Sequence, residues 1–406
     1  MYDLKNNLSS IRNEFPILQN CVYLISNSLG AVPKKVKTGL ESYYNLWAEE
    51  GVSAWKKEWW DLSKRISRQL EELLQAEKSS ITMMPNATIA HWIALSTKFT
   101  NHDSKRNKVV MTDLDFPSSI YAVSKIAKFM GWKLQIVQSK NTSLLEIKKI
   151  TERIDDKTLF VATSHVYFKS SLIQDIHSIA KKAAKVGAMT VIDGYHAPGI
   201  IHVNLKDSGI DFYIGGCLKW LCGGPGNAFL YVRPGLAEQI EPGLTGWWAH
   251  KNPFKFDLDL KYTSGPYRFM SGTPPIPCLY TASAGLNIIK QVGIKNIREK
   301  SISMTEMIID KSKQRGFKIC SPLKSDLRGG AVSIHLPWAF QIKQALDQKK
   351  ILVDFRKGQT KKEDVIRIGP HFYNQKEEIG RLFEEIDHLY SSEEYKKFSD
   401  KIDHVT

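Results

Sequence analysis

Short apolar runs rich in β-branched residues recur through the middle of the chain, at 108–112, 133–137, 158–163, 188–193, 211–215 and 228–232. Between several of them, apolar positions return every three or four residues, as at 118–130, 143–154 and 172–186, the last stopped by Gly187. The first pattern suits buried strands and the second amphipathic helices. Their alternation predicts a mostly parallel sheet covered by helices, the arrangement in which ligands sit at the carboxyl ends of strands. The final third reads differently, with long helical patterns at 279–291 and 294–314, then short strands near 330–334 and 365–368. This predicts a smaller α+β C-terminal domain. The expected division is an N-terminal segment, 1–50, packing on the small domain, a large domain over 51–285 and a small domain over 286–406. No Pro-, Gly- or Ser-rich linker separates the last two, so they should pack closely. The charged tail SSEEYKKFSDKIDHVT is expected to form a surface helix with a frayed end.

Composition narrows the picture by exclusion. A chain of 406 residues can bury a sizeable core. Lys and Arg outnumber Asp and Glu by 57 to 42, for a net charge of +15. These cations are spread from Lys5 to Lys401 without a dense run, which suits a solvated surface better than a nucleic-acid-binding arm. No nucleic-acid partner is expected. Five cysteines are too few and too irregular for a disulfide framework. The first residues, MYDLKNNLSSIRNEF, lack the apolar core of a signal peptide, and no apolar stretch of membrane-spanning length occurs. The expected location is cytoplasmic, with no membrane partner.

Three stretches carry candidate chemistry. AMTVIDGYHAPG is an apolar strand delivering one acid, Asp193, at its carboxyl end. Alone, such an Asp is more readily a cap of the following turn. GGCLKWLCGGPGNAFLYV follows, with Lys219 about 26 residues downstream (193 to 219) between glycine-rich turns that let backbone approach a cofactor closely. A lysine shielded there has reason to lose its proton and act as a nucleophile, although a lone lysine is usually a solvated cation. Upstream, MMPNATIAHWIALST is a turn opening a helix, whose N-terminus, with the Ala87 N–H and the Thr88 hydroxyl, suits a phosphate. Phosphate turn, acid and lysine in that order point to pyridoxal 5′-phosphate, in which the acid keeps the pyridine nitrogen protonated so that the ring accepts electrons.

The chain then resembles a known family. YLISNSLGAVP, GVSAWKKEWWDL, DFPSSIYAV, SHVYFKS, VIDGYH, GCLKWLCGGPG, GWWAH and RFMSGTPPI, in collinear order from about Phe15 to Tyr373, are similar to the kynureninase branch of the class V pyridoxal-phosphate enzymes. The resemblance implies fold type I, an α/β fold with a large domain around a mostly parallel sheet and a smaller α+β domain. It implies that Lys219 carries the cofactor as a Schiff base, that Asp193 pairs with the pyridine nitrogen, and that His196 lies near the phenolic oxygen. It further implies Phe116 on the ring face, Ala87 and Thr88 at the phosphate, and Ser119 and Ser170 in the cofactor shell. Trp247 and Thr273 would reach in from the second subunit of a homodimer with shared active sites. Arg367, with Asn27 and Ser28, would bind an amino-acid substrate.

Two positions depart from the branch. Leu218 stands where kynureninases carry a Tyr before the lysine, and Ser119 where they carry an Asp. Phe116 and the stretch after Arg367 lack the ring-stacking His and catalytic Cys of cysteine desulfurases. No metal site is expected. The expected activity is side-chain cleavage of kynurenine or a related aromatic amino acid. Trp55, Trp59, Trp60, Trp247 and Trp248 would line a pocket for a flat side chain or, equally, serve packing. An aminotransferase, an epimerase, another C–C or C–S lyase, and a non-catalytic binding protein stay open.

Overall fold

The computed structural model describes residues 10–99, 105–139, 144–358, 360 and 363–399. Its main sheet has seven strands, β1 (Ile81–Met84), β2 (Lys108–Thr112), β3 (Lys133–Val137), β4 (Thr158–Ser164), β5 (Met189–Asp193), β6 (Phe212–Gly216) and β7 (Ala228–Val232), in the order β1-β7-β6-β5-β4-β2-β3. From β3 to β6 every pairing is parallel. β7 runs antiparallel to both β6 and β1. All six apolar runs of the sequence become strands because the central ones are covered on both faces; β4, β6 and β7 are buried at every position. β1 is the strand the pattern did not announce.

Helices pack on this sheet and beside it: α1 (Lys35–Glu50), α2 (Trp60–Leu73), α3 (Ala87–Leu95), α4 (Pro117–Phe129), α5 (Ile176–Val186), α6 (Ile276–Val292) and α7 (Ile294–Gln314). α5 starts four residues later than its periodicity suggested because the Asp175 side chain accepts the Ser178 N–H at 3.0 Å and caps it there. It buries Ile176, Ile179, Ala180 and Ala183 on one face and ends at Gly187, whose φ of +72° is left-handed. Each fully buried isoleucine contributes roughly 2 kcal/mol. Of the segment 143–154, the helix covers Ile147–Thr151, and residue 143 lies outside the described residues.

The second sheet is antiparallel, with β8 (Lys318–Ile319), β9 (Val332–His335), β10 (Asp354–Arg356) and β11 (Val365–Ile368) in the order β8-β9-β11-β10. Helices α8 (Ala339–Gln348) and α9 (Lys376–Ser392) share its apolar core. Beyond α9 the tail makes a short 3₁₀ turn, Glu394–Lys397, and 400–406 lie outside the described residues. Val22–Tyr23 pairs in parallel with Ile351–Leu352, Ile25 bridges to Gly369, and Arg12 forms an ion pair with Glu378 at 2.9 Å. The N-terminal segment is thereby tied to the second sheet, while α1 packs along α6. Residues 285 and 286 both fall within α6, which is continuous. We propose two domains centred on the two sheets, with the N-terminal segment bridging them. Among the described residues no helix is long and apolar enough to cross a membrane.

Candidate active site

A cavity of about 320 Å³ opens at the carboxyl ends of β4 and β5, walled on the far side by β10 and β11 of the second sheet. Lys219 sits in the 217–227 loop that turns β6 back into β7. Residue 30 holds that loop from the N-terminal segment: the Gly30 N–H donates to the Leu218 carbonyl at 3.0 Å. A Cβ at Gly30 would stand 2.1 Å from the Lys219 carbonyl oxygen, so the approach requires glycine.

Lys219 faces the cavity and is otherwise enclosed by protein, with its Nζ 5.0 Å from the Tyr195 ring centre and 5.5 Å from that of Phe116. Among the described residues no carboxylate lies within ion-pair distance of it. Enclosure lowers its pKa from 10.5 to about 7; the positive charges of Arg367 and Arg356 add to this and Asp193 opposes it. Its polar neighbour is His196, with Nε2 at 2.6 Å. Burial, reinforced by Lys219 and Arg367, holds that imidazole neutral well below its ordinary range. In the tautomer protonated on Nδ1, Nε2 accepts from the lysine.

Asp193 ends β5 and is 7% exposed. Its Oδ1 accepts the Tyr195 N–H at 2.9 Å, and its Oδ2 accepts the Ser119 hydroxyl at 2.7 Å. The expected phosphate turn is the N-terminus of α3, capped by Asn86, with Ala87 and Thr88 on the cavity wall. Phe116 precedes α4 and stands edge-on to Phe168 at 5.2 Å, both lining the cavity.

The opposite wall is cationic. Asp354 and Arg356 alternate along β10 and so share one face, and Arg367 of β11 lies directly opposite Asp354. Arg367, 2% exposed, donates through Nη2 to Asp354 Oδ2 and through Nη1 to the Phe168 carbonyl. Arg356 Nη1 lies 2.7 Å from Asp354 Oδ1, and the Asn27 amide reaches Asp354 Oδ2 at 3.4 Å. Burial lowers Arg367 to about 9 and Arg356 to about 10, leaving both cationic at neutral pH. Arg367 Nε and Asn27 Oδ1 are buried without a partner in the protein although both residues line the cavity. The cationic wall, with Arg356 and Arg367 both lining the cavity, suits a polar, anionic ligand.

The structure therefore gathers Asn27, Ser28, Ala87, Thr88, Phe116 and Ser119 around one cavity, together with Asp193, His196, Lys219 and Arg367. Ser170 is buried nearby, its hydroxyl accepting the Leu172 N–H, and is not on the wall. Trp247 and Thr273 are exposed on the single chain and are also off the wall. Trp55, Trp59, Trp60, Trp247 and Trp248 contact one another in an aromatic ladder continued by Phe254, outside the cavity lining. Sequence reasoning missed His91, Tyr195 and Arg356. His91 stands one helical turn after Ala87, its Nδ1 2.8 Å from that residue's carbonyl and its Nε2 4.0 Å from Asp193 Oδ2. The i, i+4 spacing was the available signal. Among the described residues there is no group of acids, histidines and cysteines that could hold a metal.

An acid fixed at a strand end, a shielded lysine and a helix N-terminus around one cavity at the topological centre of this sheet define a fold type I pyridoxal-phosphate enzyme. Residues 22–382 match the family model "Aminotransferase class-V", and the chain belongs to that family. It is 28% identical to "Uncharacterized aminotransferase YcbU" of Bacillus subtilis, over 92% of this chain and 96% of that one. It is 29% identical to a kynureninase of Geobacillus thermodenitrificans, over 98% and 95% of the two chains, and 27% identical to one of Pseudomonas fluorescens, over 87% and 86%. A solved cysteine desulfurase of Thermococcus onnurineus shares the fold with a TM-score of 0.82 at 21% identity, covering 94% of this chain and 98% of its own.

Proposed function

We propose that this enzyme holds pyridoxal phosphate on Lys219 and cleaves the side chain of kynurenine or a related aromatic amino acid with water, releasing alanine and an aromatic acid. The observation that carries the reading is the charge layout of the cavity, with a shielded lysine and a fixed acid near the sheet and two guanidiniums across from them. Pyridoxal phosphate supplies, when bound, a sink for negative charge at the substrate α-carbon. Ala87 and Thr88 would hold its phosphate at the α3 N-terminus, and Phe116 would cover its ring, with Ser170 behind the wall rather than against the cofactor. Asp193, braced by Ser119 and the Tyr195 N–H, would keep a proton on its ring nitrogen. His196 would lie by its phenolic oxygen. Arg367, Asn27 and Ser28 would orient the substrate, and the amine of Lys219, with a pKa of about 7, would take and return the α-proton.

A homodimer completes the reading. Trp247, 38% exposed, and Thr273 would enter the neighbouring subunit's cavity. The kynureninase relatives support the choice of substrate. Incubation of the loaded enzyme with L-kynurenine should yield anthranilate fluorescence and stoichiometric alanine. Accumulation of pyridoxamine phosphate with a keto acid would instead make it an aminotransferase, the activity named for YcbU.

A further inference from the structure

The usual expectation is that a single arginine, here Arg367, grips the substrate carboxylate with two parallel N–H bonds. The geometry does not leave it free to do so. Each Nη gives one N–H to the protein, one to Asp354 and one to the Phe168 carbonyl, the residue is 2% exposed, and its unpartnered Nε is closed off from the cavity. Arg356 is the complementary case. Its contacts within the protein, to the Phe355 carbonyl and to Asp354, both run through Nη1, so among the described residues Nε and Nη2 have no partner. It lines the same cavity and keeps 20% of its side chain exposed. The two guanidiniums sit on the two oxygens of one carboxylate, which brings them close together on one face of the β10–β11 pair. Two cations against Asp354 leave one unbalanced positive charge, the charge of one further carboxylate.

We propose that Arg356 is a second carboxylate-binding residue, and that the substrate α-carboxylate bridges Arg356 and Arg367 on the cavity side as Asp354 bridges them from within the protein. This deepens the proposed function and rests on it for the presence of an amino-acid substrate. Arg367, 2% exposed, contributes chiefly its charge, and Arg356, 20% exposed, the open N–H edge. Asp354 holds the two like charges together until the substrate arrives.

The test uses the cofactor-loaded enzyme, with L-alanine and ethylamine as probes that differ by the carboxylate alone, each titrated against the visible cofactor absorption. Arg356→Gln should weaken L-alanine binding on the order of ten- to hundredfold and leave ethylamine unchanged. Arg356→Lys, which keeps a charge for Asp354 but loses the planar fork, should recover L-alanine binding only in part. Full recovery with lysine would reduce Arg356 to a brace for Asp354 and overturn the proposal, as would equal weakening of both probes or wild-type titration of L-alanine by Arg356→Gln. Should Arg356→Gln fail to load cofactor, the lysine variant decides by the same criterion. A wild-type enzyme whose absorption responds to no amino acid would instead defeat the proposed function, whatever the variants do.

Discussion

The lowered pKa of Lys219 makes a quantitative statement about cofactor loading. An exposed lysine with its ordinary pKa of 10.5 is neutral in only about one molecule in three thousand at pH 7. With Lys219 at about 7, roughly half the molecules carry the neutral amine, on the order of a thousandfold more. Only the neutral amine attacks the cofactor aldehyde, so the rate of covalent loading of apoenzyme should rise with pH and level off above about 7. Arg367 is the largest charged contributor to that depression. Arg367→Gln should therefore move the midpoint upward, towards the ordinary lysine range. The assay mixes apoenzyme with pyridoxal phosphate across roughly pH 6 to 9 and follows the visible absorption. A wild-type rate still climbing tenfold per pH unit at the alkaline end would refute the shielding argument. An Arg367→Gln profile superimposable on wild type would refute the role given to its charge.

The same depression has a stability consequence. Between about 7 and 10.5 the unfolded chain binds a proton that folded Lys219 has released, so apoenzyme stability should rise with pH in that window, by up to about 1.4 kcal/mol per pH unit. Lys219→Met should remove this slope in calorimetric unfolding, and an unchanged slope would assign it to other groups. Ser119→Ala deletes the 2.7 Å hydrogen bond to Asp193 Oδ2 and should weaken cofactor binding about tenfold in equilibrium titration, without abolishing it. Gly30→Ala places a methyl group 2.1 Å from the Lys219 carbonyl oxygen and should destabilise the protein by roughly 3 kcal/mol. A thermal midpoint unchanged by that substitution would show that the lysine loop yields freely.

What could be read from the sequence followed from burial. Strands covered on both faces leave continuous apolar runs, so the interior of the main sheet stood out as plain text. Asp193 and Lys219 were visible because each interrupts or follows such a run. β10 was not visible. It is three residues long, Asp354–Arg356, and two of those three are charged because Arg356 lines the site and Asp354 is buried behind it against Arg367. Arg356 was lost with it. Only the period of two, with Phe355 buried between Asp354 and Arg356, marked it as a strand. Arg367 was placed by resemblance alone, since nothing local distinguishes a cavity arginine from a surface one. The partners of Asp193 were hidden for another reason: Ser119 and Asp193 are 74 positions apart, and tertiary packing alone brings them together. The pattern of tryptophans could not separate a substrate pocket from packing, and in the single chain they pack on one another outside the cavity lining.

The central claim is that Lys219 is the residue that holds the cofactor. Borohydride reduction of the loaded enzyme, followed by proteolysis and mass mapping, tests it directly. The account predicts one pyridoxyl adduct, on the peptide containing Lys219, and none in Lys219→Met. An adduct on a different lysine, or an undiminished adduct in that variant, would contradict it.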